Sequence, residues 1–440
     1  MLQVIKIGLF IFALVAALFF SRWLQRNSNA MPKAFFLMGF LPFVIFIPEQ
    51  PLQIALILDL TWSGIAQGLV FSLPDVVALT IYLSLPRARN PLPFRFSMLL
   101  YFVAVLLSTF QTDLPIEALF YCWQLVRIFL FYVVVARACT DERTRLALMA
   151  GMTVGLIIQA GAALYQGIFV GELRAGGTLG SVNIAGMLSY IVVIPSFALL
   201  LAGQRGWQLV TAQLAGLALA ILSVSRAAIG LFGVGFLVTF ALSALQGWTS
   251  RKGTIALVGV IIIAVASPFV LQSIEKRYAN DLNEIDIRPI MIEVASAILT
   301  DHPMGIGANN YVRIANMGGY NFRAGMGFNY YMLNTDVHNV YWLVAAETGY
   351  FGICTFVLLL LRLMVSAFIC GWKNRRDRRG SLLLGLSVTL LLIYVHSWFE
   401  FVLLLQAIQY PFAIIAGLVS SLTMELGYWQ PKKLIPSPID

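Results

Sequence analysis

Apolar residues come in long, nearly unbroken runs that recur from Leu9 to Thr423. Such runs predict helices, because a backbone in lipid must satisfy its hydrogen bonds within its own segment. A transmembrane barrel is the other legal solution. It would show roughly ten-residue segments of alternating polarity, and these runs are continuous instead. Candidate spans are 5–22, 34–47, 75–86, 96–111, 117–136, 146–169, 183–203, 207–223, 227–247, 254–271, 339–368, 381–400 and 404–424. Two of them, 34–47 and 75–86, are short for a full crossing. The stretch 48–74, with Pro48, Pro51, Asp59 and Pro74, reads as a loop, a re-entrant piece or another span. The pattern predicts an all-α polytopic integral membrane protein with about 12 transmembrane helices, about 12–14 being compatible with it.

Composition agrees. The chain is 60% hydrophobic and 11% charged, against roughly 25% charged in a soluble domain, so it lacks the charge to cover a water-facing surface. The net charge of +9 sits mostly in short loops, as orientation signals do, and no nucleic-acid partner is expected. Cys122, Cys139, Cys354 and Cys370 lie in or beside apolar segments and suggest neither a metal pair nor a disulfide framework. The first segment, Ile5 to Phe20, has no small-residue cleavage site after it and reads as a retained anchor.

The basic loops set an orientation. Lys373 to Arg379 is the strongest cluster, and Arg87 to Arg95, Arg137 to Arg145, Gln204-Arg205 and Arg251-Lys252 join it as expected cytoplasmic segments. Stepping between them puts 111–116, 170–182, 224–226, 272–338 and 401–403 on the other face. Before residue 87 the side is not determined. The expected organisation is N-terminal transmembrane helices over 1–271, a large loop over 272–338 on the face away from the cytoplasm, and C-terminal helices with a short cytoplasmic tail over 339–440. That loop carries Arg277, Arg288, Arg313 and Arg323. Its segment Arg288 to Thr300 has helical spacing of apolar residues, ended by His302-Pro303 and Gly305-Ile306-Gly307.

Arginines on the face away from the basic loops call for a reason. Arg174 precedes a span, Arg226 sits in a very tight turn after Ser225, and Arg288 opens the loop helix. A guanidinium never loses its charge and grips two oxygens at once, so these arginines suit a diphosphate. The plainer reading is pairing with lipid headgroups or helix ends. Arg226 fits that reading least, because a short turn leaves no freedom to snorkel. His338, two residues after Asp336 and followed by Asn339, is the natural candidate for a general base near neutral pH. Lone histidines are more often structural. Arg127 falls in the middle of a predicted span, as either a site residue or half of a buried pair. Tyr311, Tyr320, Tyr330 and Tyr331 offer rings for sugar stacking, although aromatics at a membrane interface are common anyway.

Other chemistries find no support. The chain has no nucleotide-binding Gly-x-x-x-x-Gly-Lys-Ser/Thr loop and no His-Glu-x-x-His motif. The acidic group Asp281, Glu284 and Asp286 reads as a solvated face, so neither metal nor cofactor is expected.

Four motifs in order resemble bacterial O-antigen ligases. His338-Asn339, nine residues and then Gly349-Tyr350-Phe351-Gly352 is similar to that family's His-Asn-x9-Gly-x-x-Gly pattern. Arg288 with His302-Pro303-Met304-Gly305-Ile306-Gly307 resembles its Arg…His-Pro-x-Gly-x-Gly stretch. Ser225-Arg226-Ala227-Ala228 resembles its Ser-Arg turn, and Asn183 to Gly186 after Arg174 its Asn-x-x-Gly/Ala segment. The wider superfamily includes O-antigen polymerases and protein O-oligosaccharyltransferases. The resemblance implies a GT-C-like glycosyltransferase in a bacterial inner membrane with a periplasmic active site. Such an enzyme moves an O-antigen glycan from undecaprenyl diphosphate to a lipid A-core sugar. His338, Arg288, Arg226 and Arg174 would be its catalytic residues. Asn339, Arg127, Ser225, Asn183, Asp336, Tyr311 and Arg323 are added as expected substrate contacts. A polymerase of the same superfamily and a lipid or polysaccharide transporter are the competing readings.

Overall fold

The computed structural model describes residues 2–45, 53–59, 61–86, 91–281, 286–326 and 333–429. Helices dominate. In chain order they are α1 (Leu2–Arg26), α2 (Met31–Phe40), α3 (Leu73–Ser84), α4 (Arg95–Ser108), α5 (Pro115–Ala138), α6 (Glu142–Tyr165), α7 (Val182–Leu201), α8 (Trp207–Ser223), α9 (Arg226–Leu245) and α10 (Ser250–Asp281). They continue with α11 (Arg288–Asp301), α12 (Tyr311–Met317), α13 (Tyr320–Arg323), α14 (Val340–Lys373), α15 (Arg378–His396) and α16 (Gln406–Glu425). Among the described residues, eight helices are long and apolar enough to cross a membrane: Lys6–Arg26, α5, Glu142–Val170, α7, α9, α14, α15 and α16. Three shorter apolar helices, Leu73–Ser84, Arg95–Gln111 and Trp207–Ser223, pack among them. This is a multi-pass membrane protein.

The ambiguous stretch before α3 is not a span. It holds an antiparallel hairpin, β1 (Gln53–Leu58) with β2 (Gly68–Ser72), pairing Gln53 with Ser72 and Leu58 with Gly68. The helix expected to stop near residue 271 runs on to Asp281, so the loop it opens begins later than its polarity suggested.

Two ends of the bundle are distinct. At one, the basic segments meet acidic and amide partners. Arg145 and Arg379 share Glu425 at 3.0 and 2.8 Å. Arg378 and Arg251 both reach Gln204, at 3.0 and 2.9 Å. The helices alternate from there, so α7, α9, α14 and α16 all begin at the opposite end. The hairpin belongs to that opposite end, because Asn309 of the large loop bonds Ala66 through both halves of its carboxamide, at 2.9 and 2.7 Å. Gln25 of α1 reaches Leu83 of α3 at 3.0 Å, and Arg137 lies over the Tyr82 ring. The C-terminal ends of α1 and α3 therefore sit with the basic loops, and α1 starts at the other end.

Arg127 illustrates how charge is handled inside the bundle. It is 4% exposed. Its Nε donates to Asp75 Oδ2 at 2.8 Å, and its Nη2 to Ser72 Oγ at 3.1 Å and to Tyr410 Oη. Asp75 also accepts from Tyr410 Oη at 2.8 Å and from the Ser72 backbone, the capping box that starts α3. Removing one partner of a buried pair strands the other charge, at about 3–5 kcal/mol. Arg127→Ala should thus lower the thermal unfolding midpoint of the detergent-purified protein sharply. An unchanged midpoint would mean the network carries no stability.

Candidate active site

The end of the bundle away from the basic loops gathers the starts of α7, α9, α11 and α14. The unsatisfied N–H groups and the dipole of each helix start favour anions there. Ser181 and Ser225 cap α7 and α9, their hydroxyls accepting from Ile184 N and Ala228 N. Between α8 and α9 the chain turns at Val224, which takes φ 46° and ψ 30°. A β-branched residue in the left-handed region is strained by about 1–3 kcal/mol. That conformation makes the turn tight and sets exposed Arg226 on the first residue of α9. Ser225 Oγ also donates to Asn183 Oδ1 at 3.4 Å. Ala175 N donates to Leu222 O at 3.0 Å. The loop of exposed Arg174 and the turn of Arg226 are therefore tied side by side.

A second cluster forms around Glu400, in the short link between α15 and α16. Its carboxylate is buried, 4% exposed. Oε2 lies 2.9 Å from His338 Nδ1, and Oε1 accepts from Arg288 Nη2 at 3.3 Å. Residues separated by 62 and 112 positions are thus joined by one side chain. Burial raises the Glu400 pKa, but the hydrogen bond from His338 and the charges of His338, Arg288 and His396 outweigh it and hold the carboxyl below its ordinary 4.5. Because the folded value is depressed, this pairing stabilises the fold above the ordinary value and is lost as pH falls through the lowered one. A carboxylate at Nδ1 accepts the ring proton, so the neutral imidazole keeps its lone pair on Nε2. Among the described residues nothing hydrogen-bonds Nε2, and the His338 side chain is 26% exposed. Its ring meets Phe401 edge-on, centroids 5.5 Å apart.

Asn339 holds that histidine in place. Its Oδ1 accepts from Tyr341 N and Trp342 N at 3.0 and 3.2 Å, capping α14, and its Nδ2 donates to Trp398 O at 3.1 Å. Both halves of the carboxamide are used and the residue is 1% exposed. In this structure Asn339 is a cap that fixes His338 against the α15–α16 link.

The glycines of the two sequence motifs lock onto each other. Inside α14, Gly349 takes φ 68° and ψ −171°, a kink that frees carbonyls above it. Ile306 N and Gly307 N donate to Ala346 O and Glu347 O at 3.2 and 3.0 Å, and Tyr350 N to Pro303 O at 3.1 Å. A Cβ on Gly349 would stand 2.4 Å from Pro303 O, so only glycine fits. The kink docks the end of α11, and with it the helix that begins at Arg288.

The other expected contacts lie elsewhere. Arg127 is consumed by the buried network with Asp75. It lines a cavity of about 580 Å³ together with Gln67, Gln124 and Gln406. Tyr311 is 2% exposed, with its N–H on Glu347 Oε1 at 3.1 Å. The ring is packed inside the loop rather than laid open on its surface. Tyr320 is 6% exposed and bonds Asp301; Tyr330, Tyr331 and Glu284 lie outside the described residues. Asp336 is buried, its carboxyl pushed well above the ordinary 3.8 by burial and then by Glu347. Arg323 is exposed and stacked over Tyr320 at 4.2 Å. Among the described residues no three His, Cys, Asp or Glu side chains could hold a metal ion together.

Sequence reasoning missed Glu400. Its only local signal was an acid four residues after His396 at the end of a span.

Comparison with known proteins bears on this site directly. No curated protein sequence matches the chain. Residues 211–357 match the family model described as O-antigen ligase. Arg226, Arg288, His338 and the Gly349 kink fall inside that stretch; Arg174, Arg127 and Glu400 fall outside it. The match supports membership of this multi-pass protein in the O-antigen ligase/polymerase superfamily.

Proposed function

We propose that the protein is an O-antigen ligase, transferring a glycan from undecaprenyl diphosphate to a lipid A-core sugar at the periplasmic face of the bacterial inner membrane. The observation that carries this reading is Glu400 bridging His338 and Arg288 at 2.9 and 3.3 Å, at the end of the bundle that also bears Arg174 and Arg226. In one displacement, His338 Nε2 takes the proton of the acceptor hydroxyl. The hydroxyl oxygen attacks the anomeric carbon, and the bond from that carbon to the diphosphate oxygen breaks. The leaving diphosphate keeps the electron pair. Arg174, Arg226 and Arg288, with the nearby helix starts, stabilise its charge. The donor is already activated, so no nucleotide site is needed. Both substrates are lipid-anchored and reach the site through the bilayer. A transporter would need charges along a path. Arg127, the mid-span charge, is instead neutralised by Asp75.

The polymerase reading differs only in acceptor. Full-length protein in proteoliposomes, given labelled undecaprenyl-diphosphate glycan with and without lipid A core, separates the two. The ligase reading expects label on lipid A core whenever it is present. Label found only in longer chains on undecaprenyl diphosphate would make the protein a polymerase.

A further inference from the structure

Glu400 faces two groups with different jobs. Arg288 is 43% exposed at its side chain, open to a ligand, while Glu400 is 5% exposed. Their 3.3 Å contact is longer than the roughly 2.7–2.9 Å of a strong charge-assisted bond. The His338 contact, at 2.9 Å, is the tighter of the two. A diphosphate carries more charge than a carboxylate and offers Arg288 a bidentate partner in the open, so it competes well for the guanidinium. Once Arg288 turns away, the buried carboxylate has lost its permanent cation. Among the described residues, the other titratable groups acting on it are His338 and His396. His396 is fully buried, its Nδ1 already 2.9 Å from Tyr190 Oη. The carboxylate then stands opposite the imidazolium that forms when His338 takes up the acceptor's proton.

We infer that Glu400 is a positioning residue that couples donor binding to base activation: it holds Arg288 and His338 together in the empty site and serves His338 alone once a diphosphate has taken Arg288. The inference rests on the proposed reading of His338 as base and Arg288 as diphosphate ligand. Coupling of this kind is reciprocal. The donor strengthens the base, and the Arg288–Glu400 pair weakens the grip on the donor.

The test uses full-length Glu400→Gln protein in proteoliposomes, with undecaprenyl diphosphate as the binding probe. Freed from the carboxylate, Arg288 should bind the probe about 3- to 10-fold more tightly. Turnover should fall about 100-fold, because the imidazolium formed in the transition state has lost its anion. The acid limb of the pH–rate profile should move to lower pH. Glu400→Asp keeps the charge but is too short to reach both partners, so it should also bind the probe more tightly while its acid limb stays in place. Those readings decide the matter if the glutamine variant does not fold. Lower turnover with unchanged probe affinity and pH profile would reduce Glu400 to a folding role and overturn the coupling. An active His338→Ala protein would instead remove the base assignment beneath it; an inactive one, with Glu400→Gln indistinguishable from wild type, removes the coupling alone.

Discussion

His338→Ala protein should remain folded in the membrane and lose turnover by about 10²–10⁴-fold, the usual contribution of a positioned general base. The expectation follows from geometry on both sides of the ring. Nδ1 is engaged by Glu400 at 2.9 Å, so the tautomer is set and Nε2 is the basic atom. Asn339 and the Val340 N to Ser397 O bond of 2.9 Å anchor the backbone that follows, so removing the imidazole leaves the helix start intact. Donor affinity should change little, because the base contacts the acceptor. A variant with full turnover and normal membrane content would remove the general-base role.

Arg226→Ala should lower turnover by about 10²–10³-fold, the scale for losing one preorganised donor to developing negative charge. The side chain stands exposed at the first residue of α9, held there by the strained turn at Val224 and the Ser225 cap. Lysine restores charge but not the planar fork, so Arg226→Lys should recover only part of the loss. Measuring kcat and donor KM separately is informative. A group that meets the diphosphate mainly as it departs lowers kcat more than it raises KM. Equal activity in both variants would show that the diphosphate is held elsewhere.

Much of this arrangement is legible in the amino-acid sequence. Long apolar runs gave most of the helices, because lipid leaves a backbone few alternatives. Basic loops gave the two ends, and Arg145, Arg251, Arg378 and Arg379 do meet at one of them. The helix opening at Arg288 followed from spacing alone. What could not be read were pairings across the chain. Periodicity carries no information about which acid will meet Arg127 or His338, and Asp75 and Glu400 lie 52 and 62 residues away from them. The stretch before Ser72 was ambiguous because its apolar residues suit a strand as well as a helix. The burial of Tyr311 and Asn339 could not be read either, because polar and aromatic residues in a loop usually face solvent. Here Tyr311 is buried with the loop docked on the Gly349 kink, and Asn339 by the α15–α16 link it bonds.

The account stands most directly on the stereochemistry of one turnover. Purified protein, a donor of known anomeric configuration on undecaprenyl diphosphate, and lipid A core as acceptor would yield a product whose new linkage can be read by NMR. A single displacement with His338 as base predicts inversion at the anomeric carbon and release of undecaprenyl diphosphate. Retention of configuration would require a covalent glycosyl intermediate, and it would contradict the mechanism built on His338, Glu400 and Arg288.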